Sequence, residues 1–222
     1  MATSRRRRGA LRRGAGSLPF VMALAVASAP PVASTLASRP EATLRLVVTT
    51  TADTSDLHPG TGPCADASGR CSLRAALEIA DTRQVAVDVT VPSGRFVVAS
   101  PILLDDAGGA TIVGEGTSRT SVSGGGSVTP LLVGDAASLS LGASVASVAL
   151  ELRGLRLVDG TSATSGTFAG EGGCLVVASA NTLVVLDEVR VEGCTSSAVG
   201  GGVYSVGRLT VERSTLDGDT AV

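Results

Sequence analysis

The stretch Gly172-Gly-Cys-Leu-Val-Val177 returns further along the chain as Gly201-Gly-Val-Tyr-Ser205, and this repetition decides the fold. Aligning the two copies places Cys174 opposite Gly202 and Leu175 opposite Val203. Further apolar and glycine positions align in the same way: Val184/Leu186 with Leu209/Val211, Val189/Val191 with Ser214/Leu216, and Gly193-Cys194 with Gly218-Asp219, after a looser earlier copy in Leu150/Leu152, Leu155/Leu157 and Asp159-Gly160. Recurring units of this size, with alternating apolar residues and glycine between them, are typical of a stacked array.

The repeats predict one particular all-β architecture. Each unit offers three short strands and cannot bury its apolar side chains alone, so successive units must lie upon each other with parallel strands about 4.8 Å apart. Glycines permit the positive-φ corners between strands. We therefore expect residues 84–222 to form a right-handed parallel β-helix, a solenoid of the pectate-lyase-like type, which is expected to be incomplete at its C-terminus.

Composition agrees with a solenoid of small aliphatic residues. The chain has 28 Gly, three Phe, one Tyr and no Trp, so its core cannot depend on aromatic rings. Upstream of the repeats, valines alternate strictly from Val85 to Val91, and short apolar runs follow at 96–99, 102–104 and 111–113. Alternation with a period of two predicts strands, and residues 44–49 show the same pattern.

One segment shows a helical period instead. In Cys71-Ser-Leu-Arg-Ala-Ala-Leu-Glu-Ile-Ala-Asp81, apolar residues recur at positions 73, 76, 77 and 80, which is one face of a short helix. Ser72 is the predicted N-cap, and the reciprocal half of a capping box is missing because Ala75 stands where Glu or Gln is needed. We expect a helix over 72–80 inside an N-terminal cap, residues 44–83, that covers the first coil and its open edges.

The N-terminus predicts export. Six arginines between Arg5 and Arg13 precede an apolar block, residues 18–29, that is too short to span a bilayer. Small residues then offer a cleavage site after Ala27, so residues 1–27 are predicted to be a signal peptide and residues 28–43 a linker. No transmembrane helix is expected in the mature chain, which is predicted to be extracellular or on the cell surface, with outer-membrane association if an anchor follows.

The four cysteines fit an oxidising compartment. Cys64, Cys71, Cys174 and Cys194 form an even set, for which disulfides are the default in an exported protein. Three pairings are open; the favoured one joins Cys64 to Cys71 across a Gly/Pro-rich loop and leaves Cys174 with Cys194. Zinc binding is the less favoured alternative, because the cysteines lack tight repeated spacing and His58 is the only histidine.

The charge of the mature chain argues against a nucleic-acid partner. Removal of the six leader arginines takes the formal net charge from −2 to −8. Binding to phosphates needs a basic stripe, which this composition does not supply. A solvated acidic surface is the expectation.

Several of these segments carry a resemblance to a known family. Cys71, Ser72, Leu73, Arg74 and Leu77 resemble the CSLREA motif of bacterial exported proteins, in which the motif precedes repeats like those of polymorphic outer membrane proteins. Segments 172–175 and 201–203 are similar to the family's Gly-Gly-Ala-aliphatic element. The sequence departs from the family pattern with Ala75 for Glu, Leu77 for Ile, Leu216 for Phe and Asp219 for Asn. The resemblance covers residues 44–222 and implies export and a β-helix, but no reaction.

The acidic residues are the candidates for catalytic and metal sites. A lyase on this fold needs carboxylates that hold calcium and a base, and a hydrolase needs two nearby carboxylates. The candidate side chains are Asp187, Glu188, Asp217 and Asp219, with Arg190, Arg208 and Arg213 as neighbours. Asp187 and Glu188 are expected on opposite faces of one strand, and Asp217 and Asp219 in a turn. Asp53, Asp56 and Asp66 could supply oxygen ligands to calcium, although turn formation explains them better.

The sequence therefore predicts a non-enzymatic protein with no catalytic residue and no cofactor other than a possible calcium ion. The leading hypothesis is a secreted or cell-surface scaffold that binds glycans or surface macromolecules in the manner of an adhesin. A polysaccharide lyase or hydrolase is the alternative.

Overall fold

A computed structural model of the chain describes residues 43–105, 108–134 and 148–222. Within these residues the chain is mostly β, with seventeen strands, parallel sheets and one helix. This confirms the predicted all-β class at that level. The predicted signal peptide and all of the predicted linker except Thr43 lie outside the described residues.

Three sheets, here called A, B and C, account for fifteen of these strands. In spatial order, sheet A contains β1 (Leu44–Val47), β2 (Val87–Val91), β5 (Ala110–Gly114), β8 (Ala149–Arg153), β11 (Leu183–Asp187) and β15 (Arg208–Glu212). Sheet B contains β3 (Gly94–Val97), β6 (Thr120–Ser123), β9 (Arg156–Val158), β12 (Arg190–Glu192) and β16 (Thr215–Asp217). Sheet C contains β4 (Ile102–Leu104), β7 (Leu131–Val133), β10 (Leu175–Val177) and β14 (Val203–Ser205). A small fourth sheet pairs β13 (Thr195–Ser196) with β17 (Thr220–Ala221).

The chain visits the sheets in a fixed rotation. Strands β2, β3 and β4 lie in A, B and C in turn, and the same order recurs for β5 to β7 and for β8 to β10. Each strand pairs in parallel with its counterpart one rotation later. Strand β13 is inserted into the next rotation between sheets B and C. One rotation, from sheet A back to sheet A, is called a turn of the chain below.

The register of the pairs agrees with the alignment of the repeats. Leu175 lies opposite Val203, and Val191 lies opposite Leu216. The looser copy is also in register, since Leu152 pairs with Leu186. The period-two alternation of the sequence thus predicted both the strand partners and the buried face.

Rows of apolar side chains, all aliphatic except Phe96, run through the interior with one residue from each turn. They are, in register, Val89–Ile112–Leu152–Leu186–Val211 on sheet A, Phe96–Val122–Leu157–Val191–Leu216 on sheet B, and Ile102–Leu131–Leu175–Val203 on sheet C. Except in the last turn, these side chains are at most 2% exposed. Burial of each such side chain stabilises the folded state by about 2 kcal/mol.

Helix α1 (Leu73–Arg83) begins where the sequence predicted and ends three residues beyond the predicted Ala80. Ser72 is the N-cap, and its side chain accepts a hydrogen bond from the backbone N–H of Ala75 at 2.9 Å. Ile79 is buried in addition to the predicted apolar face, and α1 packs against β4 and β2. The helix stops at Gln84, which adopts a left-handed conformation with φ 52°. Among the described residues, no helix is long and apolar enough to cross a membrane.

Candidate functional site

Both disulfides lie where the sequence favoured them. Cys64 is bonded to Cys71 and Cys174 to Cys194, with Cα–Cα separations of 5.1 and 5.6 Å. The first joins the Gly/Pro-rich loop to the residue before the N-cap Ser72. The second links Cys174, directly before β10, to Cys194, which follows β12 in the next turn. Two disulfides are typical of an extracellular or otherwise oxidising environment.

The next turn replaces the second disulfide with a carboxylate. Gly202 occupies the register position that follows Cys174, and Asp219 occupies the position that follows Cys194. The Asp219 Oδ1 accepts a hydrogen bond from the Cys194 N–H at 2.9 Å, while Oδ2 is buried without a hydrogen-bond partner. A Cβ on Gly202 would clash with this carboxylate, so glycine is needed there. Burial raises the pKa of Asp219 from its ordinary value of 3.8.

The residues that resemble the CSLREA motif hold the cap together. Leu73 and Leu77 are buried in the core. The Arg74 guanidinium pairs with Asp53 at 2.8 Å and donates a hydrogen bond to the Ser100 carbonyl at 2.6 Å. This arginine therefore connects α1 to the Asp-rich loop and to the segment between β3 and β4. Its position indicates a structural role.

The carboxylates of the Asp-rich loop are occupied by hydrogen bonds to nearby backbone and side-chain groups. Asp56 accepts from the backbone N–H groups of His58 and Ala65 at 2.8 and 2.7 Å. Asp66 accepts from Arg70, Thr54 and Ser68, and these hydrogen bonds, the Arg70 backbone N–H foremost, lower its pKa from 3.8. Turn formation, the explanation that the sequence favoured over calcium, thus accounts for these oxygens. The described residues contain no cluster of three or more His, Cys, Asp and Glu side chains suited to a metal ion.

The prediction for Asp187 and Glu188 was wrong in placing both acids on one strand, although their side chains do lie apart, one buried and one exposed. Asp187 ends β11, but Glu188 lies beyond the strand in a left-handed corner with φ 54°. Asp187 is 5% exposed and pairs with Arg153 at 3.3 Å and with Arg213. Glu188 lies 3.6 Å from Arg213. The two acids therefore do not form a pair, and Asp187 links three successive turns through its arginine partners.

The prediction that placed Asp217 and Asp219 together in a turn is also corrected. Asp217 is the last residue of β16 and points outward, 3.5 Å from Arg190. Asp219 follows the strand and lies against Gly202. Arg208 belongs to β15, and His58 is an exposed loop residue. None of these groups is placed as an acid–base pair for glycoside chemistry.

The outward face of sheet B carries rows of opposite charge. Arg156 lies opposite Arg190 on neighbouring strands, and the acids beside them are within hydrogen-bonding reach: Arg95–Asp159 at 2.9 Å, Arg156–Glu192 at 3.0 Å and Arg190–Glu192 at 2.6 Å. Arg95, Arg156, Asp159 and Glu192 line a shallow groove together with Val158, Gly193, Asp217 and Gly218, and this is here called the sheet B groove. Its charges are partly exposed and nearly balanced, so the groove offers both hydrogen-bond donors and acceptors to a polar ligand.

Sheet C presents an apolar cleft that sequence reasoning missed. Leu132 and Val176 form its floor, and the loop 161–173 brings Phe168 over it. The Phe168 ring lies 6.4 Å from the ring of Tyr204, centroid to centroid. Phe168 thus lines this sheet C cleft, and Tyr204 lies beside it, next to Val176 in register. The loop has no periodicity, so the sequence does not indicate what Phe168 contacts. The one signal in the sequence is that aromatic residues are scarce, which makes Phe168 and Tyr204 conspicuous.

Comparison with known proteins identifies no relative. No protein family, no curated protein and no solved structure matches the chain.

Proposed function

We propose that this protein is an exported right-handed parallel β-helix that serves as a secreted or cell-surface scaffold and binds glycans or other surface macromolecules. The observation that carries the proposal is the regular parallel register of sheets A, B and C. It produces long outward faces on which side chains from successive turns are aligned.

The order in which the chain visits its sheets supports the β-helix. Three parallel sheets are each built from one strand per turn, and buried aliphatic rows connect the turns. Connections between parallel strands of one sheet are overwhelmingly right-handed, which favours that hand for the whole array. Helix α1, packed against β4 and β2, then covers the interior at the N-terminal end, as expected from its amphipathic pattern and its place in the sequence.

Export is supported by the leader pattern and by the two disulfides. If residues 1–27 are a signal peptide, the protein recovered outside the cytoplasm begins at Ser28. N-terminal sequencing and intact-mass analysis of the exported protein test this directly. Accumulation of the full 222-residue chain in the cytoplasm would contradict export.

The sheet B groove and the sheet C cleft supply the two kinds of contact that glycan binding uses. Paired arginines and carboxylates offer hydrogen bonds to hydroxyl groups, and Phe168 and Tyr204 offer aromatic surface with an apolar floor. The near balance of charge in the groove favours neutral or weakly charged glycans. A binding role follows more readily from these surfaces than a reaction.

Binding of the exported protein to a panel of immobilised glycans tests the function. We expect Phe168→Ala, in the sheet C cleft, or Arg156→Ala, in the sheet B groove, to weaken binding at least tenfold, whereas Arg45→Ala, on the outward face of sheet A, leaves it unchanged. Absence of binding to every glycan would contradict the proposal. Release of shortened or unsaturated products from pectin or alginate would instead establish the alternative, a polysaccharide lyase or hydrolase.

A further inference from the structure

The sheet C cleft lies on strands that are paired on both sides. Its floor residue Leu132 belongs to β7, which pairs with β4 and β10, and Val176 belongs to β10, which pairs with β7 and β14. Val176 faces outward beside the inward residue Leu175, yet it is only 1% exposed. A Cβ on Gly172 would lie 2.7 Å from Val176 Cγ2, so the backbone at the end of the loop packs onto the floor of the cleft.

The loop that carries Phe168 is held by hydrogen bonds at its base. The Gly170 N–H donates to the Ala163 carbonyl at 2.8 Å, and the Thr129 hydroxyl donates to the Gly172 carbonyl at 2.8 Å. Within the loop, the Glu171 N–H donates to the Phe168 carbonyl at 3.1 Å. This turn brings Phe168 and Glu171 to the cleft together, so a ligand does not have to order them.

Glu171 supplies the only charge among the described residues that line the cleft. Its Oε2 is buried, and no described residue donates a hydrogen bond to this atom or forms an ion pair with the carboxylate. The side chain is partly exposed and has the apolar residues Leu132, Phe168 and Val176 as neighbours along the wall. A cation that reaches Glu171 from the cleft therefore gains a charge-assisted hydrogen bond in apolar surroundings.

The size of the cleft and the hollow beside it indicate the shape of the ligand. The cleft measures about 200 Å³, less than the ~300–1,000 Å³ of sites for drug-sized molecules, so it suits a single ring. It continues into a hollow of about 320 Å³ that shares Pro101 and Ala163 with it. Hydroxyl groups of Ser127, Thr161 and Thr164 line this hollow. They offer hydrogen bonds to further rings of a hydroxyl-rich chain.

We propose that the sheet C cleft binds an unacetylated amino sugar within an oligosaccharide. The ammonium group of the sugar lies against the Glu171 carboxylate, the apolar face of its ring lies on Phe168, and the following rings run along the hydroxyl-lined hollow. This assignment rests on the proposed glycan-binding function and adds the class of sugar. An acidic sugar would meet the like charge of Glu171. A lysine side chain would pair with Glu171, but it brings no ring for Phe168 and no hydroxyl groups for the hollow.

Calorimetric titration of the exported chain with four short probes tests the class of ligand. We expect a glucosamine tetramer to bind at least ~10-fold more tightly than its N-acetylated form or a glucose tetramer, since only the first brings a cation to Glu171. A lysine tetramer should also bind at least ~10-fold more weakly than the glucosamine tetramer, since it offers no sugar ring to Phe168. These comparisons use the unchanged chain and need no variant.

The variant Glu171→Gln tests whether one carboxylate causes the preference. It removes the charge and keeps the shape, so its Kd for the glucosamine tetramer should rise at least ~10-fold, while the Kd for the neutral tetramers stays unchanged. Glu115→Gln is the matched control, because it removes the same charge from a carboxylate that lies outside the cleft, 3.7 Å from Arg119. Its Kd values should equal those of the unchanged chain. Phe168→Ala should weaken the binding of all three sugar tetramers.

The outcomes separate this assignment from the proposed function. Neutral tetramers that bind as tightly as the glucosamine tetramer would overturn the amino-sugar assignment and leave glycan binding in place. So would a Glu171→Gln variant that is folded, as judged by circular dichroism, and keeps the preference. A lysine tetramer that binds as tightly as the glucosamine tetramer would show that charge alone is recognised, which also overturns the assignment. Absence of binding to every sugar tetramer would overturn it as well, and absence of binding to the whole glycan panel would overturn the proposed function too.

Discussion

Replacement of Gly202 and Asp219 with cysteine should create a third disulfide, one turn beyond Cys174–Cys194. The two positions follow those cysteines in register, and the native pair has a Cα–Cα distance of 5.6 Å, within the range that disulfides adopt. The Asp219 side chain already lies directly against Gly202. The double variant should therefore oxidise without a change in the backbone.

The expected gain in stability follows from the loop that the new bond closes. The chain-entropy relation gives about 3 kcal/mol for the segment between positions 202 and 219, close to the value for Cys174–Cys194. The same change removes a buried carboxylate oxygen that has no hydrogen-bond partner. Gly202→Cys alone should destabilise the fold, because its Cβ clashes with the carboxylate.

Differential alkylation with mass spectrometry would detect the bond, and urea unfolding of the oxidised and reduced variant would measure its contribution. Gly202→Cys/Asp217→Cys is the matched control, since Asp217 points outward and pairs with Arg190. The control should keep two free thiols. Free thiols in the 202/219 variant, or equal oxidation of both variants, would refute the proposed stacking of turns.

Three further substitutions, two of them with an exposed control, test the pH dependence, the contacts of α1 and the interior. Because burial raises the pKa of Asp219, the contribution of its protonated form to the free energy of unfolding is complete below pH 3.8 and is lost as the pH rises through the higher folded-state pKa. Asp219→Asn should therefore stabilise the protein near neutral pH and less so in acid. An equal gain in stability at both pH values would contradict this. Arg74→Ala should cost about 3 kcal/mol in urea unfolding, since it strands a nearly buried partner. Arg45→Ala, at an exposed pair, should cost about 0.5 kcal/mol or less, and similar losses for both would exclude the role given to Arg74. Leu186→Ala should lower the free energy of unfolding by about 3 kcal/mol, whereas Val211→Ala, in the same row but exposed, should lower it clearly less. Equal losses for the two variants would show that Leu186 is not in the interior.

Much of the strand register could be predicted from the sequence, because apolar residues that alternate with a period of two indicate which side chains face inward. The match of Leu175 with Val203 and of Val191 with Leu216 required only that equivalent side chains stack. The start of α1 was equally visible, since Ser72 can accept a hydrogen bond from the first turn. The signal peptide and the resemblance to CSLREA-motif proteins stay predictions.

Features that depend on contacts between distant residues were not predictable. The burial of Asp187 requires arginines from the turns before and after it, and the left-handed corner at Glu188 has no glycine to mark it. The end of α1 was also not predicted, because the helix continues to Arg83 and stops where Gln84, without a glycine to mark it, adopts a left-handed conformation. The sheet C cleft depends on a loop that folds back onto a strand 36 residues from Phe168.

Distances along one outward row of sheet A test the stacking of turns most directly. Arg45, Asp88, Thr111, Glu151, Val185 and Thr210 occupy successive positions in this row. Pulsed electron paramagnetic resonance between nitroxide labels at 45 and 210 should give a narrow distribution near ~24 Å, five strand spacings, and labels at 45 and 185 should give ~19 Å, four spacings. Broad distance distributions would contradict parallel turns stacked in register. So would a difference between the 45–210 and 45–185 distances that does not equal one strand spacing.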